Sequence, residues 1–582
     1  MFPLRAGSHQ ENRAETHLAK AKRTFVVVSH THWDREWYSP FEEFRARLVR
    51  TMDGLLELLD RDPEYRHFVL DGQTVPLDDY LEIRPDRRAD IERLVRDGRL
   101  VIGPNYMLAD EFLIGGEAHI RNLMTGIRSA RKYGGPMMVG YSPDAFGHIM
   151  HLPAVLRGFG IDSVLIWRGV GDNVSTSEFR WRAPDGSEVL VLHFPHGYGG
   201  LETLPEDREA LLKSIENMRS RVEPYATTEY CLVPNGTDHM AAHDGLPRFI
   251  KAANEVLEDA ELVHGDYPMY VDLVKRALGD RQNELQVVEG EFRNSKRSNV
   301  LAGVLSTRIW TKQRYQHCED LLARYAEPAA AWTHMLRTAS LPARPEVSKP
   351  ALSGVEGERA PQAACQRTAS DKGLLRNAWR QLLQNGPHDS VTGCSVDSVY
   401  VDVGARFNHA EQAAEAVTFE SQRFIAELAS PPGDTCVAVF NPENGPRTDF
   451  CTLRLPVPEG REPHDLIDAN GRCIDVQVIE RGHHSPRDGR ERIVVGFVAP
   501  DVPGYGYKVM RVEYVEREER SGNKEQGEQG TRNREPGPIE NEFFRVSADR
   551  TAGTLTVEDK TTGASYAGLN RFVDGVLPAG VR

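Results

Sequence analysis

At 582 residues the chain exceeds what one hydrophobic core can organise, so several domains are expected. Its 40% apolar and 27% charged residues are those of a soluble globular protein. A net charge of −15 excludes the broad basic face that nonspecific nucleic-acid or anionic-membrane binding requires, so neither partner is expected.

Residues 1–22 read as a polar, disordered tail, and 23–300 as an α/β catalytic domain. The domain opens on Phe25-Val26-Val27-Val28-Ser29-His30-Thr31-His32-Trp33-Asp34-Arg35-Glu36-Trp37, a hydrophobic strand running into ligand-type side chains. Phe41 to Arg61 predicts a helix, with Phe44, Leu48, Met52, Leu55 and Leu59 on one stripe. A short strand, His67 to Leu70, ends at Asp71-Gly72. Asp78 to Asp97 is helical in composition, Leu100 to Gly103 a strand, Glu117 to Tyr133 a third helix. Strands follow at Met137 to Tyr141, Ser163 to Trp167, Val189 to Leu192 and Tyr230 to Val233. Strands alternating with amphipathic helices predict an α/β fold, a mostly parallel sheet or barrel with helices on both faces.

Beyond Thr307 the pattern changes. Arg308 to Trp332, Lys372 to Gln384 and Phe407 to Leu428 predict a helical bundle within 301–430, interrupted by a Pro-, Ala-, Ser- and Glu-rich flexible insertion at 342–371. Short β-like runs between Cys436 and Val512 predict a β-sandwich over 431–515. A charged, Gly-rich linker follows at 516–537, and 538–582 reads as the start of a truncated C-terminal β-domain. The seven cysteines are scattered and odd in number, with no Cys-x-x-Cys spacing, which favours a reducing compartment. No apolar segment of signal-peptide or transmembrane length occurs, so a cytoplasmic location is expected.

Candidate chemistry collects after strands, where α/β folds place their sites. His30, His32 and Asp34 alternate, so in an extended segment they share one side and offer part of a divalent-metal shell. A His-x-His pair at a strand end also fits ordinary hydrogen-bonded loop structure. Asp144 lies in Gly140-Tyr141-Ser142-Pro143-Asp144-Ala145-Phe146-Gly147-His148, where a turn or N-cap role competes. Asp238 closes Pro234-Asn235-Gly236-Thr237-Asp238, again a turn sequence. His388, in Asn385-Gly386-Pro387-His388-Asp389-Ser390-Val391-Thr392-Gly393, could be an ordinary histidine near a helix end. Taken together the segments supply a shell of His32, Asp34, Asp144 and His388, with Asp238 free for proton transfer.

Those four segments, in that order, resemble the signatures of the zinc-dependent α-mannosidases of glycoside hydrolase family thirty-eight. Val164-Leu165-Ile166-Trp167-Arg168-Gly169 and Ser306-Thr307-Arg308 are similar to further stretches of that family. Arg35-Glu36 matches its bacterial branch, where animal members carry Pro-Gly. The resemblance implies one Zn2+ per chain on His32, Asp34, Asp144 and His388. It further implies Asp144 as nucleophile, Asp238 as general acid and base, and Trp37, Phe146, Arg168 and Asp389 on the sugar. His30 would sit behind the ligands. The implied reaction is retaining hydrolysis of α-mannosides or mannose-containing oligosaccharides, and relatives often form homo-oligomers. Two rival readings stay open: a zinc-dependent sugar deacetylase, and a truncated, inactive carbohydrate-binding homologue.

Overall fold

The computed structural model describes residues 22–338, 359–484, 491–516, 539–540, 542–549 and 554–569. The expected tail (apart from Lys22), the 516–537 linker (apart from its first residue) and most of the expected insertion lie outside them. The chain divides into two compact units. One comprises Met1–Leu453, Asp465–Gln477 and Gly496–Val512; the other comprises Arg454–His464, Val478–Val495 and Glu513–Arg582.

The first unit begins with β1 (Arg23–Thr31), α1 (Phe41–Arg61), β2 (Phe68–Leu70), α2 (Val75–Ile83), α3 (Arg88–Arg96) and β3 (Leu100–Val101). There follow α4 (Gly116–Ala130), β4 (Gly140–Ser142), α5 (Leu152–Gly158), β5 (Ser163–Ile166), β6 (Glu178–Arg182) and β7 (Glu188–His193). Then come α6 (Arg208–Val222), β8 (Tyr230–Asn235), α7 (Leu246–Val256), β9 (Ala260–Gly265), α8 (Tyr267–Leu278) and β10 (Val287–Glu289). The helix expected over 78–97 is two helices, because Pro85 supplies no N–H and holds Arg84 out of helical geometry (φ −121°, ψ 63°).

The strands form two five-stranded sheets. In the first, β3-β2-β1-β8 is the order, with β9 also on β1, and every described pairing is parallel. The second runs β10-β6-β7-β5-β4, parallel except for β6 against β7. Along β1 the buried side chains alternate between two cores. Phe25 and Val27 join Leu48, Met52, Leu55 and Leu59 of α1, while Val26 and Val28 pack with Tyr141, Leu165, Leu190 and Leu192 from the second sheet. Burial on both faces is why β1 reads as an unbroken apolar run. Each fully buried Val, Leu or Phe contributes roughly 1.5–3 kcal/mol of transfer free energy.

The helical part consists of α9 (Ile309–Asp320), one π-helical stretch over Leu321–Ala326, α10 (Glu327–Thr338), α11 (Arg359–Leu383) and α12 (Val399–Ala429). α11 begins inside the stretch read as an insertion. Its Ala378, Leu382 and Leu383 meet Val399, Val403 and Phe407 of α12, and Tyr106, Met107 and Ile114 of the α/β part join the same core. That shared core carries the helical loops to the strand ends. Downstream, β11 (Cys436–Asn441), β12 (Arg447–Pro456), β13 (Arg461–Asp468), β14 (Cys473–Asp475), β15 (Gln477–His484), β16 (Glu491–Val502) and β17 (Gly506–Glu516) form two further sheets. Their orders are β11-β17-β13-β14 and β12-β16-β15. A separate four-stranded sheet contains β18 (Ile539–Glu540), β19 (Phe544–Asp549), β20 (Thr554–Asp559) and β21 (Ser565–Leu569). Among the described residues no helix is long and apolar enough to cross a membrane.

Candidate active site

The carboxyl ends of β1, β2, β4, β5 and β8 all feed one buried cluster. β1 runs parallel to β8 with Ser29 beside Asn235, and three residues further along each chain His32 bridges Asp238. The backbone seals this juncture: His32 N–H donates to Thr237 O at 3.2 Å, and His239 N–H donates to His32 O at 2.8 Å. Gly236 permits it, since a Cβ there would lie 2.0 Å from His30 O. Sheet register therefore sets the distance between the first motif and Asp238.

His388 arrives from the helical part, in the loop between α11 and α12. Its ring stacks on that of His32, with centroids 5.4 Å apart. His32 Nε2 and His388 Nε2 lie 3.1 and 3.2 Å from the same oxygen, Asp34 Oδ1. His388 Nε2 is also 3.5 Å from Asp144 Oδ2 and 3.3 Å from Asp389 Oδ2. Ligand atoms of His32, Asp144 and His388 fall within 4.8 Å of one another, as do those of His32, Asp34 and Asp238, and of Asp34, His388 and Asp389. His32 Nε2 is buried and has no partner in hydrogen-bond geometry. The separations of 3.1, 3.2 and 3.5 Å are close to the ligand-to-ligand spacing around a tetrahedral ion with bonds near 2.1 Å, roughly 3.4 Å. The donor set, imidazole nitrogens and carboxylate oxygens, suits a divalent ion such as zinc.

Charge in the cluster is unbalanced. Burial alone would depress both imidazoles, but Asp71 and Asp34 lift His32 well above its ordinary pKa. Burial likewise opposes His388, yet Asp389, Asp34 and Asp144 raise it to about 10. Burial pushes Asp144 upward, against His388 and Arg168. Burial and the neighbouring Asp34 hold Asp389 well above the carboxylate range. A pocket that retains protons on its histidines in this way is one that a cation can occupy in their place.

The sequence candidates divide by position. Arg168 Nε holds Asp144 Oδ1 at 2.5 Å and its guanidinium lies 5.7 Å from the Phe146 ring centroid. Phe146 in turn packs edge-on against His388, centroids 5.4 Å apart. Asp389 accepts from the Cys394 thiol at 3.3 Å. Trp37 is half-buried, its ring against Tyr38 and its carbonyl accepting from Val396 N–H. His30 is not in the cluster despite its alternation with His32: its Nε2 donates to Tyr198 O at 3.0 Å.

Several supporting residues escaped sequence reasoning. Asp71, at the end of β2, accepts from His32 Nδ1 at 3.2 Å, Trp33 N–H at 2.7 Å and Gln73 Nε2 at 2.8 Å. This orients the ring so that Nε2 faces the cluster. Tyr198 donates its hydroxyl to Asp238 Oδ1 at 2.7 Å and packs on the His32 ring at 4.8 Å. Glu36 grips Ser390 Oγ at 2.6 Å and pairs with Arg406, whose Nε donates to Asn385 Oδ1 at 2.6 Å, clamping the His388 loop to the first motif. An acidic residue at the end of a strand beside β1 was the available signal for Asp71. For Tyr198 and Arg406 no local signal exists.

The strand ends of a mostly parallel α/β part thus meet a helical part at a buried cluster of histidines and carboxylates. Residues 22–281 match the glycosyl hydrolases family 38 N-terminal domain, and 299–425 the alpha mannosidase middle domain. The α/β part is therefore similar to the N-terminal domain of glycosyl hydrolase family 38, and the helical part to the middle domain of alpha mannosidases. It is similar to a putative mannosylglycerate hydrolase of Halalkalibacterium halodurans, 31% identical over 95% of this chain and 62% of that protein. The crystal structure of an alpha-mannosidase from Enterococcus faecalis superimposes with a TM-score of 0.75 at 28% identity, over 94% of this chain and 62% of that one. Human alpha-mannosidase 2C1 is 28% identical over 35% of this chain and 20% of its own length. The chain thus spans about 62% of the first two relatives.

Proposed function

We propose that this chain is a retaining α-mannosidase that removes terminal α-linked mannose from mannosides or oligosaccharides. One observation carries the reading: His32, Asp34, Asp144 and His388 converge from three distant segments, with Asp238 beside His32. Similarity to those two domains and the mannose-directed names of its relatives support the substrate class.

The four ligand residues would hold one zinc ion, which when bound supplies positive charge beside Asp144 and coordination for adjacent sugar hydroxyls. Arg168 neutralises and orients the Asp144 carboxylate. Asp144 attacks C1 of the mannose while Asp238 gives its proton to the departing glycosidic oxygen, breaking the C1–O bond. Asp238, now a carboxylate held by Tyr198, takes a proton from water. The water oxygen bonds to C1 and the bond to Asp144 breaks, with net retention. Phe146, Trp37 and Asp389 would line the sugar. Six unpaired cysteines among the described residues support a reducing, cytoplasmic setting.

The test is hydrolysis of an aryl α-mannoside by the zinc-loaded protein, followed by proton NMR of the first-formed sugar. α-Mannose should appear first, and Asp144→Asn should lower kcat on the order of 10³-fold or more. Initial β-mannose, or a fully active Asp144→Asn, overturns the mechanism. Stabilisation by mannose without turnover of any mannoside would favour a binding protein instead.

A further inference from the structure

One buried carboxylate outside the cluster touches both sides of its most important loop. Glu111 is 4% exposed and lies between β3 and α4. Its Oε1 accepts from Ser142 Oγ at 2.7 Å and from His148 Nδ1 at 2.7 Å, while Oε2 accepts from Ile149 N–H at 3.0 Å. Ser142 and His148 stand on either side of Asp144. The same short segment also meets the loop that carries His388: Asp110 N–H donates to Gly386 O at 3.0 Å, and Ala109 bridges Pro387 in antiparallel fashion. Three consecutive residues therefore join the two loops whose side chains, Asp144 and His388, approach to 3.5 Å.

Burying a carboxylate is costly unless its oxygens are satisfied, and a hydrophobic residue would fill the space at less cost. Four features mark this one as a brace. Both oxygens are used, the donors belong to opposite ends of one loop, and the His148 ring is fully buried. The segment's backbone also bonds to the second loop. We propose that Glu111 is a positioning residue: it closes the Ser142–Ile149 loop and, through the Ala109–Glu111 strut, sets the distance between Asp144 and His388. The inference rests on the assignment of those two residues made above, but its consequences are readable without turnover.

Glu111→Gln and Glu111→Asp test it, the second keeping the charge but shortening its reach. A control is Glu178, equally buried in β6. It accepts from Ser177 Oγ at 2.9 Å, Thr227 N–H at 2.8 Å and Tyr270 OH at 3.1 Å and touches no residue of the cluster. In chelator competition, both Glu111 variants should bind Zn2+ about 10–100-fold more weakly than wild type. In zinc-saturated protein their kcat on an aryl α-mannoside should fall roughly 10²-fold with KM nearly unchanged. Glu178→Gln should lower Tm while leaving zinc affinity and kcat as they were. Should Glu111→Gln fail to fold, Glu111→Asp decides alone. Glu111 variants that lose only Tm, like Glu178→Gln, would overturn the proposal. Wild-type protein that binds zinc without cleaving mannosides would remove the mannosidase reading, and the affinity comparison would still decide the strut.

Discussion

Asp71 illustrates how a residue one step removed from the chemistry can govern it. Its φ of 48° lies in the left-handed region, which Asp tolerates better than most residues, and its carboxylate is fully buried between a ring N–H, a backbone N–H and an amide. Holding His32 by Nδ1 fixes the tautomer that leaves Nε2 free for a cation. Asp71→Asn keeps the shape but offers an NH2 group where an acceptor is needed. Zinc affinity should fall about 10–100-fold, measured by chelator competition, with the fold retained. Unchanged affinity would show that ring orientation is set elsewhere. Sequence periodicity could place Asp71 at a strand end, but its partner is decided by parallel pairing of β2 with β1, where Thr31 lies beside Leu70.

Between elements, the register of β1 against β8 does for Asp238 what Asp71 does for His32. The two strands pair in parallel from Thr24 with Tyr230 to Ser29 with Asn235, and the bridge from His32 to Asp238 continues that ladder. Gly236 sits where the neighbouring backbone passes too close for any side chain. Gly236→Ala should force the strand ends apart, costing about 1–3 kcal/mol in denaturant-measured stability and roughly 10²-fold in kcat. A variant with lower stability but undiminished kcat would separate register from catalysis. At this scale the sequence was legible wherever burial was uniform: the apolar stripe of α1 and the runs of β1, β5 and β7 appear where their periodicity placed them. It was less legible where punctuation overrides pattern. Pro85 splits one expected helix, and the strand expected from Met137 begins only at Gly140.

For the molecule as a whole, the cluster links the α/β strand ends to the α11–α12 loop, so its protonation and metal state should register in global stability. The carboxylates around His388 overcome burial and raise its pKa from the ordinary 6.5 to about 10. A folded-state pKa above the unfolded value stabilises fully below pH 6.5 and loses that contribution as pH climbs through about 10. A tenfold gain in proton affinity on folding is worth about 1.4 kcal/mol. Metal-free protein should therefore show a Tm that falls between pH 6.5 and 10 by calorimetry. Zinc-loaded protein should hold its Tm better across the same range, because the cation replaces the protons and binds more tightly as they leave. A metal-free Tm that is flat over this range would refute the electrostatic account of the cluster.

Patterning alone determined the alternation of strands and helices, the change to a helical and then a β-rich composition, and the four motifs that carry ligand-type residues. These are local properties, written in side-chain polarity at spacings of two or 3.6 residues. Tertiary structure decided which of those residues meet. His30 turned away to Tyr198 although it shares its neighbours' alternation, while His388 crossed from the helical part to stack on His32. The residues that brace the site, Asp71, Glu111, Tyr198 and Arg406, hold no motif spacing among themselves. Their roles come from strand register and from a core shared between domains, contacts between residues far apart in sequence that no local period encodes.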